Sequence, residues 1–267
     1  MGLFGLFGGN KKDTTAQSQS QSQSMGESQP SAGFAGLNMN KEQSVQLLNM
    51  RKETVNLLCM EKKGLSNVKA RVGVAMDYSG SMEDEYLDGL VQATIERILP
   101  LALRFDDNGE LDMWLFDDNF RSLPTVTTNN FYGYVQKEIL DKKYRMGGTN
   151  YAPVMKDIMS RYMKKEPSDM PTYILFVTDG DNSDKAETER VIRESANHNI
   201  FWQFVGIGNA RFSFLQMLDD LKGRPIDNTD FFAIKDINNT PDQELYKNLL
   251  NEYPGWEAEA RRLGMIK

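Results

Sequence analysis

Five oxygen-bearing side chains stand at spacings suited to holding a hard cation. Three occupy alternate positions in Arg71-Val-Gly-Val-Ala-Met-Asp-Tyr-Ser-Gly-Ser-Met82, namely Asp77, Ser79 and Ser81. A fourth, Thr149, lies in Met146-Gly-Gly-Thr-Asn150, and the fifth, Asp179, follows the apolar run Tyr173–Thr178. Two carboxylates and three hydroxyls, with space for water, match Mg²⁺, which uses one or two carboxylates and keeps several waters. Mn²⁺ and Ca²⁺ are the alternatives, and soft metals fit such a donor set poorly. For the first triplet alone a plainer reading is open: Asp77 and Ser79 could merely cap the following helix. The other two segments tip the balance toward a site.

Those segments meet only if the fold brings them together. Apolar runs mark strands at 71–77, 111–116, 173–178, 200–207 and 230–234, with a Thr/Val-rich edge strand at 120–127 hairpinned to the second. Helical periodicity marks 40–63, 86–104, 131–142, 152–163, 184–197, 212–221 and 242–251. Alternation of this kind gives an α/β fold: a doubly wound, mostly parallel central sheet with helices on both faces and one antiparallel edge strand. The run at 173–178 is apolar throughout, as expected for a strand buried on both faces. In such sheets ligands bind beyond the strand C-termini. If the strands at 71–77 and 173–178 are neighbours, all three loops open on one edge. Gly147 and Gly148 then allow the backbone turn that brings the Thr149 hydroxyl close.

Two helices carry specific expectations. In the first, Val45, Leu48, Val55, Leu58 and Cys59 share a face, with Asn40 as N-cap. In the second, Leu87, Leu90, Val91, Ile98, Leu101, Ala102 and Phe105 recur at three-and-four spacing.

Composition excludes several function classes. The chain has 267 residues, 40% of them hydrophobic, and a formal charge of −7. The balance is acidic, with a pI near 5.0, which argues against a general nucleic-acid binder. Cys59 and His198 are the only residues of their types. Ser/His catalysis, a cysteine-based zinc site and an intrachain disulfide are thereby disfavoured. No apolar run approaches the roughly 20 residues that span a bilayer, so no membrane partner is expected. The opening Met1-Gly-Leu-Phe-Gly-Leu-Phe-Gly-Gly9 lacks a basic start and makes a poor signal peptide, which leaves a cytoplasmic location as the expectation. Residues 1–39 read as a Gly- and Gln/Ser-rich disordered leader and linker, 40–68 as a helix packed on the domain, and 69–267 as the domain with its C-terminal helix and tail.

Asp77-Tyr-Ser-Gly-Ser-Met82, Gly147-Gly-Thr-Asn150 and Val177-Thr-Asp-Gly180 together resemble the metal-ion-dependent adhesion site of a von Willebrand factor type A domain, whose fold is Rossmann-like. Further segments, among them Arg104-Phe-Asp-Asp-Asn-Gly-Glu-Leu-Asp112, Ile200-Phe-Trp-Gln-Phe-Val-Gly-Ile-Gly208 and Glu252-Tyr-Pro-Gly-Trp256, resemble the bacterial branch linked to tellurium and toxic-cation resistance. The likeness spans about residues 45–256. It implies that Asp77, Ser79, Ser81, Thr149 and Asp179 hold the metal, directly or through water. It also implies a non-enzymatic, metal-dependent protein-binding module in a stress or resistance complex, with a metal position left for a partner's carboxylate.

Two other classes compete. A metal-dependent phosphoryl-transfer enzyme is one, but Ser79 stands where a second, acid-base carboxylate would be needed, and the three loops carry no lysine or histidine. An RNA-associated adaptor is the other, and salt-dependent RNA binding would reveal it. Gly206-Ile-Gly208 lacks the third glycine of a dinucleotide loop and reads as close packing or a turn. Glu83, Asp84, Glu85, Asp117, Asp118, Asp181 and Asp184 read as solvated loop residues that make the edge acidic. The low-complexity leader should be trimmed by limited proteolysis to a stable core beginning near Asn40. Sustained protection of residues 1–36 in the isolated protein would overturn that expectation.

Overall fold

The computed structural model describes residues 39–62, 64–106 and 108–266. The expected leader, apart from Met39, lies outside them. Six strands form one sheet: β1 (Arg71–Asp77), β2 (Leu111–Phe116), β3 (Phe120–Val126), β4 (Thr172–Thr178), β5 (Ile200–Ile207) and β6 (Thr229–Ile234). Their order is β3-β2-β1-β4-β5-β6. All pairs are parallel except β2 with β3. Two strands therefore flank β1, and Ala75 is in register with Trp114 on one side and Phe176 on the other.

The helices are α1 (Lys41–Glu61), α2 (Glu83–Leu87), α3 (Leu90–Phe105), α4 (Tyr134–Glu138), α5 (Ala152–Ser160), α6 (Lys185–Ser195), α7 (Ser213–Asp219), α8 (Asp242–Leu249) and α9 (Tyr253–Arg262). They divide between the two faces of the sheet. On one face Val72, Val74, Met76, Leu175 and Val177 pack with residues of α1, α3, α8 and α9. On the other, Ala75, Trp114, Phe116, Ile174 and Phe176 pack with residues of α5, α6 and α7. Each fully buried large apolar side chain contributes about 1.5–3 kcal/mol of transfer free energy. β1 and β4 are thus clamped from both sides, and their C-terminal ends are fixed in space.

α1 starts with the expected Asn40 cap, completed by Gln43 into a reciprocal capping box. It buries Leu48, Val55, Leu58 and Cys59, whereas Val45 is 37% exposed. Asp242 at the start of α8 ties the layer together by accepting from both Arg51 and Arg97.

Several expected helices end differently. The one expected over 86–104 is two helices, because Gly89 takes φ +74°, a conformation that costs an L side chain energy. Leu87 consequently faces solvent, at 66% exposure, instead of joining the core. The helix expected over 131–142 contracts to α4 plus a 3₁₀ turn at Leu140–Lys142. That expected over 152–163 becomes α5 and a wider π turn, Arg161–Lys165. Beyond 251 the sequence reading missed α9. Pro254 marks a helix start here, where the missing N–H has no intrahelical partner to lose.

Gly206-Ile-Gly208 is packing and a turn, as expected. Gly208 has φ +93°, and a Cβ at Gly206 would lie 2.8 Å from the buried Phe212 ring. Gly206→Ala should therefore destabilise the protein by about 1–3 kcal/mol. Chemical denaturation should show a lower midpoint with an unchanged slope.

Candidate metal centre

β1 delivers Asp77 to the end of the sheet as a buried residue, 0% exposed. The strand is apolar on both faces, so its last side chain has little solvent to turn to. Its partners are local and few. Asp77 Oδ1 accepts from the Ser79 backbone N–H at 2.8 Å. Its Oδ2 accepts from the Thr178 hydroxyl at 2.6 Å. The Tyr86 hydroxyl donates to the Asp77 carbonyl at 2.8 Å, which is why α2 turns Tyr86 inward. Burial pushes the Asp77 carboxyl up to about 6, against the pull of the Thr178 and Ser79 hydrogen bonds.

The remaining oxygens form a chain across the edge. Ser79 Oγ lies 3.1 Å from Ser81 Oγ. The Ser81 hydroxyl donates to Asp179 Oδ1 at 3.0 Å. Four of the five candidate residues are thus linked through one another or through Thr178. Ser79 is buried, while Ser81 is exposed and Asp179 half-buried, so the group opens outward from a dry base.

Thr149 arrives on a loop fastened at both sides. The Gly80 N–H donates to the Gly147 carbonyl at 3.0 Å, and the Ser183 N–H donates to the Thr149 carbonyl at 2.9 Å. Ser79 and Gly147 also form an isolated parallel bridge. Thr149 itself is half-buried. The Gly147–Gly148 pair is needed for close approach. A Cβ at either position would lie 2.6 Å from an Asp118 carboxylate oxygen. Asp118 Oδ2 in turn accepts from the Gly148 N–H at 3.0 Å.

Of the acids expected to be solvated loop residues, Asp117 is buried and Asp184 half-buried, and Asp118 is exposed while also bonding the loop. Asp117, at 5% exposure, accepts from the Asn119 N–H at 2.8 Å. Asp118 holds Gly148. Asp184 accepts from the N–H groups of Tyr151 and Ala152 at 3.0 and 2.8 Å, at the start of α5. Glu83, Asp84 and Asp181 are exposed, and Asp181 pairs with Lys185.

Sequence reasoning also missed Thr178, Tyr86 and Tyr151. Thr178 is the donor to Asp77, and the Tyr151 hydroxyl donates to Thr178 Oγ1 at 3.1 Å. Only the adjacency of Thr178 to Asp179 hinted at a role, because no spacing rule connects Tyr86 or Tyr151 to the end of another strand.

A mostly parallel six-stranded sheet with helices on both faces, carrying Asp-x-Ser-x-Ser just beyond its central strand, defines a von Willebrand factor type A domain. Residues 69–266 match the vWA-TerF-like family, described as vWA found in TerF C terminus, and the chain belongs to that family. A relative from Bacillus subtilis (strain 168), described as "Uncharacterized protein YcbR", is 44% identical over 222 residues, covering 82% of this chain and 90% of the relative. Among solved structures, proximal thread matrix protein 1 from the mussel byssus superposes with TM-score 0.54 at 15% identity, covering 70% of this chain and 48% of that one. The same protein has been solved with a zinc-occupied MIDAS motif. A von Willebrand factor type A protein from Catenulispora acidiphila gives TM-score 0.51 at 15% identity, over 68% of this chain and 43% of that one. The chain spans about half the length of these solved structures, and the likeness is one of fold.

The Thr178 hydroxyl is the donor that reaches Asp77 Oδ2 from the neighbouring strand. Thr178→Val keeps the shape and leaves a buried carboxylate oxygen without its donor. A loss of about 1–3 kcal/mol in denaturant unfolding is expected. A neutral effect would show that this hydrogen bond does not hold Asp77.

Proposed function

We propose that this protein is a divalent-metal-dependent protein-binding module, and not an enzyme. Asp77, Ser79, Ser81, Thr149 and Asp179 would hold the cation, with Mg²⁺ as the first choice and Mn²⁺ or Ca²⁺ as alternatives. The carrying observation is the continuous oxygen chain Ser79–Ser81–Asp179 beside the buried Asp77 carboxylate. The donor set fits such a cation. Every candidate atom is a hard oxygen, two are carboxylates, and the outer members face solvent, where waters can complete the shell.

A bound cation supplies positive charge and a coordination position to a ligand from solution. The residues of this chain do the rest. Asp77 anchors the base through Thr178 and Ser79. Ser81 and Asp179 present the exposed side. Gly147 and Gly148 let the Thr149 loop come close. The incoming group is an acidic side chain of a protein partner, because a carboxylate is a hard anionic ligand. Exposed Glu83 and Asp84, at the start of α2, and Asp181, in the loop after β4, lie nearby and repel that carboxylate until the metal is in place. This makes the metal a switch for association.

Family membership supports the interaction role, since von Willebrand factor type A domains are in general protein-interaction modules. The TerF-like branch supports a place in a bacterial tellurium or toxic-cation resistance, or stress, complex. No helix among the described residues is long and apolar enough to cross a membrane. We place the module in the cytoplasm, without a nucleic-acid partner.

Two measurements test the reading. Mg²⁺ or Mn²⁺ at about 1 mM should raise the melting temperature, because a ligand bound only by the folded state stabilises it. Asp77→Ala should remove the shift and leave a folded protein by circular dichroism, and Asp179→Ala or Thr149→Ala should weaken it. Partners captured in Mg²⁺ should dissociate in EDTA and fail to bind Asp77→Ala. Complexes that survive both unchanged would mean that binding uses another surface.

A further inference from the structure

A second group of carboxylates lies away from the first site. Asp219 ends α7, Asp230 is the second residue of β6, and Glu252 immediately precedes α9. One carboxylate oxygen from each lies within 4.8 Å of the others. Oxygens around one Ca²⁺ sit about 2.3–2.6 Å from it, so two on opposite sides are up to about 5 Å apart. The three carboxylates already stand at that spacing.

Crowded acids alone are common, and the polar surroundings make this group unusual. Asp230 is buried, at 5% exposure, yet its Oδ2 has no hydrogen-bond partner, and neither has Asp219 Oδ1. Beside Asp230, in register on β5, Gln203 is fully buried. Gln203 Oε1 accepts from Tyr173, so its amide group offers Asp230 one donor side at most.

The nearby cations direct their hydrogen bonds elsewhere, although the charge of Lys62 acts on Asp230 and that of Arg224 on Glu252. Lys62 Nζ donates to the carbonyls of Leu250 and Asn251. Arg224 donates to the Asp219 and Leu221 carbonyls and to Thr229 Oγ1, and its ion pair is with Asp227. Among the described residues neither forms an ion pair with Asp219, Asp230 or Glu252. Burial and mutual repulsion push the Asp219 carboxyl up to about 7. Burial raises Asp230 against the pull of hydrogen bonds from Gln203 and from the Phe231 and Glu252 backbone, and burial together with Asp230 raises Glu252. Asp230 is the buried member, Asp219 is half-buried and Glu252 is exposed, and a cation among them would relieve their mutual repulsion.

We propose that Asp219, Asp230 and Glu252 form a second divalent-cation site, selective for a hard ion of the Ca²⁺ type. Three carboxylates exceed the one or two that Mg²⁺ ordinarily takes and suit the larger, more flexible shell of Ca²⁺. Of the three, Glu252 lines a neighbouring cavity of about 360 Å³, together with Asp227, Asn251 and Trp256. The site is separate from the first. Following the register through Met76, Val177, Val205 and Phe232, Asp230 lies three strand spacings across the sheet from Asp77, roughly 14 Å, and about three residues nearer the strand N-termini. It therefore neither depends on the proposed function nor shares a ligand with it. Its role is to tie α7, β6 and the start of α9 together when the ion is bound.

The test uses the full chain carrying Asp77→Ala, so that the first site is disabled and the outcome is independent of it. Ca²⁺ at about 5 mM should raise the melting temperature of this protein by about 3 °C. Tb³⁺, a luminescent stand-in for Ca²⁺, should be sensitised by excitation of tryptophan, since Trp256 shares the cavity wall with Glu252, and Ca²⁺ should compete it away. Adding Glu252→Gln, an exposed position where folding is not at stake, should weaken both responses about tenfold. Adding Asp230→Asn should abolish them. Absence of both responses in the Asp77→Ala protein would overturn the proposal, leaving the three carboxyls to share protons. Responses untouched by Glu252→Gln and Asp230→Asn would overturn it equally, by placing the ion elsewhere.

Discussion

The edge of the sheet is organised around one buried carboxylate at the end of the central strand. Asp77 sits where β1 leaves the sheet, held by a hydroxyl from β4 and an N–H from its own turn. A carboxylate removed from water is costly unless donors or a cation surround it. Of the donors that reach the Asp77 carboxylate, the Ser79 N–H is local, whereas the Thr178 hydroxyl arrives only because β4 pairs with β1. The pairing of β1 with β4 is therefore at once the spine of the core and the condition for the site.

From that constraint the neighbouring loops follow. Tyr86 must turn inward to reach the Asp77 carbonyl, so the chain breaks at Gly89 and starts a fresh helix. The loop carrying Thr149 passes close to Asp118, whose carboxylate would have to swing aside for a Cβ at Gly147 or Gly148. Asp184 fixes the start of α5, and the Ser183 N–H ties the same loop to the segment after β4. Acids that look like a solvated rim are in part the scaffold of the edge. The charge left facing outward is correspondingly smaller and comes mainly from Glu83, Asp84 and Asp181.

Family membership and site geometry speak to different questions. The match over residues 69–266 fixes the class of domain. The well-covered Bacillus subtilis relative shares sequence across nearly the whole of both chains. The solved structures share only the sheet and its helices, at 15% identity. The proposal for what this edge binds rests on its own oxygens: a chain of hydroxyls ending in a carboxylate and opening from a dry base would suit holding a cation and showing it to a partner.

The sequence by itself determined the elements and the oxygen donors. Strands buried on both faces must be apolar throughout, so β1, β4 and β5 stand out, and the abrupt change to Asp77, Ser79 and Ser81 marks where β1 meets solvent. Gly-Gly-Thr is as visible, because paired glycines mark a turn, and Thr-Asp-Gly marks the end of an apolar run. Only the tertiary structure decided which residues support those donors. Thr178 meets Asp77 through strand register across about a hundred residues of chain, and Tyr151 reaches Thr178 by packing, and no local pattern encodes that. Helix limits were likewise settled by packing: Leu87 fits the periodicity but faces solvent because Tyr86 is needed inside. Asp219, Asp230 and Glu252 are unremarkable in the sequence, each following or preceding an ordinary helix or strand. They become a cluster only when α7, β6 and α9 converge, because a carboxylate's cost depends on what the folded chain places around it.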